Sequence, residues 1–134
     1  LKSGLVALLT ANASISAIVG SRIYVNHAPQ KAAFPYIVLT QMNSEENPCI
    51  DGGSSDFRFL TFDIDCKAKT SVQVATLAKT VRRYLDDYTG AAGTDTIDAV
   101  LMNGESDDLE PPTDGSDTPT YVITLDCDIH FHET

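Results

Sequence analysis

Between Phe57 and Tyr88 the spacing of apolar residues changes abruptly. Leu60, Phe62, Ile64, Cys66 and Ala68 alternate with Thr61, Asp63, Asp65 and Lys67, which predicts a strand with one buried and one wet face. From Thr70 onward Val74, Leu77, Ala78, Val81, Leu85 and Tyr88 recur at three- and four-residue spacing, the stripe of an amphipathic helix. The Thr70-x-x-Gln73 spacing predicts its start, with the hydroxyl accepting from a free backbone N–H. Gly90 is the expected stop. Burying both stripes at once requires the helix to lie across the strand, with further strands completing a sheet.

The flanking segments supply those strands. Tyr121, Ile123, Leu125, Cys127, Ile129 and Phe131 alternate with Val122, Thr124, Asp126, Asp128, His130 and His132, a second half-buried strand. Thr96–Met102 predicts another, with Ile97, Ala99 and Leu101 on one face and a turn at Ala91–Thr94 before it. Tyr36–Met42 is apolar on both parities, as an interior or doubly covered strand would be. Arg22–Asn26 reads as a short edge strand. Before it, Leu5, Val6, Leu8 and Leu9 predict a short helix capped by Ser3, and Ala13–Val19 a further turn ended by Gly20. Two stretches lack any period. Asn43–Asp56 and Asn103–Pro119 are rich in Asn, Asp, Gly and Pro, and are expected to be long polar loops that order only against a partner. The result is one α+β domain over residues 1–134, with a mostly antiparallel sheet, helices packed on one face and two long polar loops.

Charge sharpens this picture. The formal net charge is −10, and no Lys or Arg follows Arg83. Such a field repels phosphate, which argues against nucleic-acid wrapping and leaves two uses: solubility, or a surface that must not stick to DNA or that meets a basic partner. No apolar run reaches the ~20 residues of a bilayer-spanning helix. Leu1–Gly20 is interrupted by Asn12, Ser14 and Ser16, so it is not expected to be a secretory leader. Cys49, Cys66 and Cys127 contain no C-x-x-C and cannot build a four-thiolate zinc site. Cys66 and Cys127 fall on the apolar sides of their strands and are expected in the core.

Candidate chemistry is sparse. Asp126-x-Asp128-x-His130-x-His132 places four potential metal ligands on one side of a strand, ~7 Å between successive members, and Asp63 and Asp65 would join if the two strands pair. The plainer interpretation is a solvated or subunit-facing sheet surface, and the metal-dependent enzyme is kept only as the alternative. Asp51-Gly52-Gly53 lacks the remainder of a calcium loop, His27 reads as a surface histidine, and Arg82-Arg83 serve the helix C-terminus. No phosphate cradle or nucleophile elbow is present. No catalytic residue, metal or cofactor is expected.

The order of these pieces does resemble a known family. Leu-rich helix, Gly20-Ser-Arg-Ile-Tyr24, Ala28-Pro-Gln30, Phe34-Pro-Tyr-Ile-Val-Leu39, polar hairpin, Asp63-Ile-Asp-Cys-Lys-Ala68, Ala78-x-x-Val81-Arg82-x-x-Leu85 and a closing alternating strand are similar to the tail-completion, or tail-terminator, proteins of long-tailed bacteriophages and phage-derived particles. The resemblance covers nearly the whole chain, with the acidic stretch Glu105–Asp117 as a departure. It implies a structural protein of the virion tail, assembled in the host cytoplasm, with another head-to-tail connector component as the alternative within the structural class. The implied assembly is a homo-oligomeric ring, commonly of six copies, that caps the tail tube protein, ends tube growth and docks a head connector or stopper protein. DNA would pass through without specific binding. On that basis Glu45, Glu46, Asn47, Asp51, Asp56, Asp107, Asp108 and Glu110 are expected at subunit or tube interfaces, and Asp63, Asp65, Asp126 and Asp128 are expected to face the channel.

Overall fold

The computed structural model describes residues 1–29, 31–48, 54–112 and 118–132. In chain order the elements are α1 (Lys2–Ala11), α2 (Ala13–Val19), β1 (Ile23–Val25), β2 (Tyr36–Pro48), β3 (Ser54–Ala68), α3 (Ser71–Leu85), β4 (Gly90–Ala92), β5 (Asp95–Glu110) and β6 (Thr120–His132). The strands form one sheet in the order β1-β2-β3-β6-β5-β4. Every pairing is antiparallel except β1 with β2, which is parallel.

The alternation of the two central strands becomes the core. Leu60 pairs with Ile129, Phe62 with Cys127, Ile64 with Leu125 and Cys66 with Ile123, and all of these side chains are buried. Val74, Leu77, Ala78, Val81 and Leu85 of α3 are buried with them, as are Leu5 and Leu9 of α1 and Ile15 and Val19 of α2. Each fully buried aliphatic or aromatic side chain contributes about 1.5–3 kcal/mol by leaving water. Burial pushes the Cys66 thiol far up and the Cys127 thiol to about 12. Both are expected to resist thiol reagents in the native protein and to react once it unfolds, which timed alkylation with mass readout checks.

The sheet curls. α1 packs against β1 and β4, the two opposite edge strands. A flat six-stranded sheet is about 24 Å wide, whereas a ten-residue helix is about 15 Å long. Contact with both edges therefore requires the sheet to wrap around its helices. The contact with β4 is close enough that a Cβ on Gly4 would collide with the Ala92 carbonyl.

Several local expectations hold. Thr70 caps α3, its hydroxyl accepting from Gln73 N–H at 3.1 Å; Thr70→Ala is expected to cost about 1 kcal/mol, read from the urea midpoint at constant slope. Gly20 ends α2 at φ 60°, backbone that side-chain-bearing residues avoid.

Others are corrected. Ser3 lies inside α1, whose N-cap is Leu1 without a side-chain bond; the capping residue of this region is Asn12, whose carbonyl oxygen accepts from Ile15 N–H at 3.0 Å. Gly90 does not stop α3, which ends at Leu85 with Asp86 as its C-cap; it opens β4, and Ala91 belongs to a short hairpin with β5. In β5 a register shift between Ile97 and Ala99 inverts the expected faces. A bulge places two residues of one strand against one of the next, so Ile97 and Val100 are buried and Leu101 is half exposed.

The largest correction concerns the two loops. β2 and β3 run as a ladder out to the Pro48–Ser54 pair. β5 stays paired with β6 from Met102 opposite Cys127 to Glu110 opposite Thr120. Polar composition signalled loops here, but backbone pairing is indifferent to whether a strand buries its side chains. No single helix among the described residues is long and apolar enough to cross a membrane.

Candidate functional site

The strands β3 and β6 carry the acids. Because side chains alternate across a sheet, Thr61, Asp63, Asp65 and Lys67 of β3 and Thr124, Asp126, Asp128 and His130 of β6 all stand on the face away from the helices. Register then decides who meets whom. Asp63 is directly opposite Asp126, Asp65 opposite Thr124, and Thr61 opposite Asp128. The two Thr–Asp rungs close with hydrogen bonds, Thr124 Oγ1 donating to Asp65 Oδ1 at 2.7 Å and Thr61 Oγ1 to Asp128 Oδ1 at 2.8 Å.

The middle rung has no such donor. One oxygen of Asp126, Oδ1, is buried and unpartnered. Partial burial raises the Asp63 carboxyl above its ordinary value, and the neighbouring charges of Asp126 and Asp65 raise it further. A carboxyl that binds its proton more tightly when folded contributes stability below its unfolded value, and that contribution is lost as pH rises through the folded one. Asp63→Asn removes the repulsion and places an amide donor opposite Asp126. It is therefore expected to raise Tm at pH 7, with the share of the gain due to repulsion shrinking as pH falls through the raised folded value and gone below the ordinary carboxylate value of 3.8; thermal melts of both proteins across pH 3–8 check this.

The histidines do not join the acids in a metal centre. His132 Nδ1 lies 3.0 Å from Asp98 Oδ2 of β5. His130 meets the ring of Phe59 edge-on at 4.4 Å between centroids, and its Nε2 is buried without a partner. Among the described residues no group of three or more His, Cys, Asp or Glu converges on a common point. The period-two array is drawn apart because each member faces a different cross-strand neighbour.

A second polar group lies toward the other end of β3. Lys67 Nζ binds Glu110 Oε1 at 3.1 Å, tying β3 to the end of β5 across β6. These two residues border a cleft of about 730 Å³ that Phe34, Tyr36 and Lys69 also line. Lys69 Nζ sits 4.6 Å from the centre of the Phe34 ring.

This architecture has known counterparts. The family model described as Tail completion protein gp17 matches residues 3–131. The chain belongs to the tail completion proteins. It thereby falls among structural components of bacteriophage tails, which are not an enzyme class. A chain from the virion of a native gene transfer agent (GTA) particle shares the fold, with a TM-score of 0.68 at 16% identity, over 95% of this chain and 91% of that one. No curated protein sequence matches.

In this tail completion protein the expected interface residues separate into two strand-borne groups rather than two loops. Glu45 and Glu46 are on β2, opposite Phe59 and Arg58. Asn47 adjoins a register shift before Pro48, and Asp56 is on β3. Asp51 lies outside the described residues. Asp107, Asp108 and Glu110 are on β5, with Asp107 and Asp108 exposed and Glu110 engaged by Lys67. The four acids expected in the channel are brought together on adjacent strands. Sequence reasoning missed Asp98 as the partner of His132 and Thr61 and Thr124 as donors to the acids. Period two predicts the shared face, but only the register reveals the pairings.

Proposed function

We propose that this chain forms a homo-oligomeric ring, of six copies, on the last ring of the tail tube, stops tube growth there and offers a docking surface to the head connector or stopper protein. Membership in the tail completion family supports a place in the virion tail. The observation that carries the ring is the helix-free sheet face, where Asp63, Asp65, Asp126 and Asp128 stand together on two adjacent strands. Turned to a common axis, that face gives the ring a negative lumen through which DNA passes without binding. Assembly takes place in the host cytoplasm.

The β2–β3 ladder supports a tube-facing or subunit-facing role for Glu45, Glu46, Asn47 and Asp56, and we extend that role to Asp51. Among the described residues β6 runs to His132, opposite Phe57, and the rungs beyond that pair join only two strands. A two-stranded ribbon is marginal in water by itself, and a neighbouring surface is what stabilises it. Shortening Glu45–Ser55 to a tight turn is expected to leave the thermal melt unchanged while abolishing binding to tubes of the tail tube protein in pelleting assays. A folded, shortened variant that still pellets with tubes would contradict the proposal.

A further inference from the structure

The ring leaves open which surfaces of neighbouring copies meet. Two unpartnered surfaces of this chain are complementary in charge, in apolar content and in spacing. The first is the solvent side of α3. Val72, Lys79 and Arg83 follow one another at seven and four residues, on the side opposite the buried stripe of Val74, Leu77, Val81 and Leu85. Val72 is 75% exposed, and Lys79 and Arg83 are exposed. The second is the outer half of β5. β4 pairs with β5 only at Asp95–Ile97, so among the described residues no strand covers the β5 edge beyond. Glu105, Asp107 and Leu109 lie on one side of that half-strand, all exposed, with Leu109 at 54%.

Val72 and Leu109 are two large apolar side chains left in water. Lys79, Arg83, Glu105 and Asp107 form no ion pair among the described residues. The spacings agree as well. At about 1.5 Å per helical residue, Lys79 and Arg83 lie about 10 and 16 Å from Val72. At about 3.4 Å per strand residue, Asp107 and Glu105 lie about 7 and 14 Å from Leu109. With Val72 set against Leu109, each cation falls about 2–3 Å beyond a carboxylate, within reach of a Lys or Arg side chain.

We propose that the outer half of β5 of one copy docks along the exposed stripe of α3 of the next, with Leu109 on Val72, Asp107 beside Lys79 and Glu105 beside Arg83. The occupant is a second copy of this chain, because the matching surfaces are both its own. The contact is heterologous, two different patches meeting head to tail, and such contacts give a ring when the rotation between copies closes. It rests on the ring reading above and adds the residues that join the subunits. It also accounts for acids along an open strand edge: like charges keep two β5 edges from pairing with each other, whereas a basic helix is accepted.

Oxidative cross-linking of Val72→Cys/Leu109→Cys in a Cys49→Ser background, assembled on tubes of the tail tube protein, tests it. The expected result is a ladder of cross-linked chains ending at the closed ring, with neither single-cysteine variant going beyond traces of dimer. Lys79→Glu/Arg83→Glu is expected to weaken capping about tenfold, more at low salt than at high. Adding Glu105→Lys/Asp107→Lys to the same chain reverses every contact and restores capping. Rings visible on tubes without a 72–109 cross-link would overturn this contact and leave the ring standing. Efficient dimers from Val72→Cys alone would overturn it in favour of a two-fold interface. Absence of any ring from wild-type protein on tubes would remove both.

Discussion

Replacing Phe62 with Ala is expected to lower the unfolding free energy by about 3–5 kcal/mol, a large share of the total for a domain of this size. Phe62 is fully buried on β3, opposite Cys127 of β6. Its ring stands at the centre of the apolar layer that α3 covers. Removing it leaves a cavity that two paired central strands cannot collapse to fill, since their spacing is held by the ladder. Urea titration at neutral pH reads the loss directly as a shift in midpoint. Leu101→Ala is the control: that side chain is 50% exposed and its truncation is expected to change stability by no more than about 0.5 kcal/mol. Similar losses from the two variants would mean that the core does not lie where the sheet and helices place it.

Reversing the charge of the proposed channel is expected to slow genome delivery while leaving particles intact. Asp65 and Asp128 are suited to this, because each accepts one hydroxyl and stands at the helix-free surface. Lys at both positions turns each subunit's contribution to the lumen from repulsive to attractive toward phosphate, and a ring multiplies the change by its copy number. Particles carrying Asp65→Lys/Asp128→Lys are expected to have tails of normal length and to release DNA slowly, with release recovering as salt is raised. Unchanged release from such particles, with the variant protein present in them, would count against a lumenal position for this face.

The core of this fold was legible from spacing alone because β3, β6 and α3 each bury one side and wet the other. Where that contrast vanishes, so does the signal. The outer half of β5 is exposed on both faces, so it has no alternation to read and its acids suggested a loop. The bulge near Asp98 left no mark in the hydrophobic pattern, and Leu101 was placed on the wrong side in consequence. Gly4 carries no signal in the apolar pattern, yet it lies where the Ala92 backbone approaches α1, a contact between residues far apart in sequence. The acids of the candidate site were assigned to one face correctly by period two. That Asp63 and Asp126 oppose each other while Asp65 and Asp128 meet threonines depended on register, which the pattern of a single strand does not contain.

Tube length is the most direct measure of the proposed role. The tail tube protein would be polymerised with and without this chain, and the lengths and ends of the tubes recorded by electron microscopy. The expected result is shorter tubes that carry one extra ring at one end, at substoichiometric amounts of this protein. Tubes of unchanged length with bare ends would contradict termination.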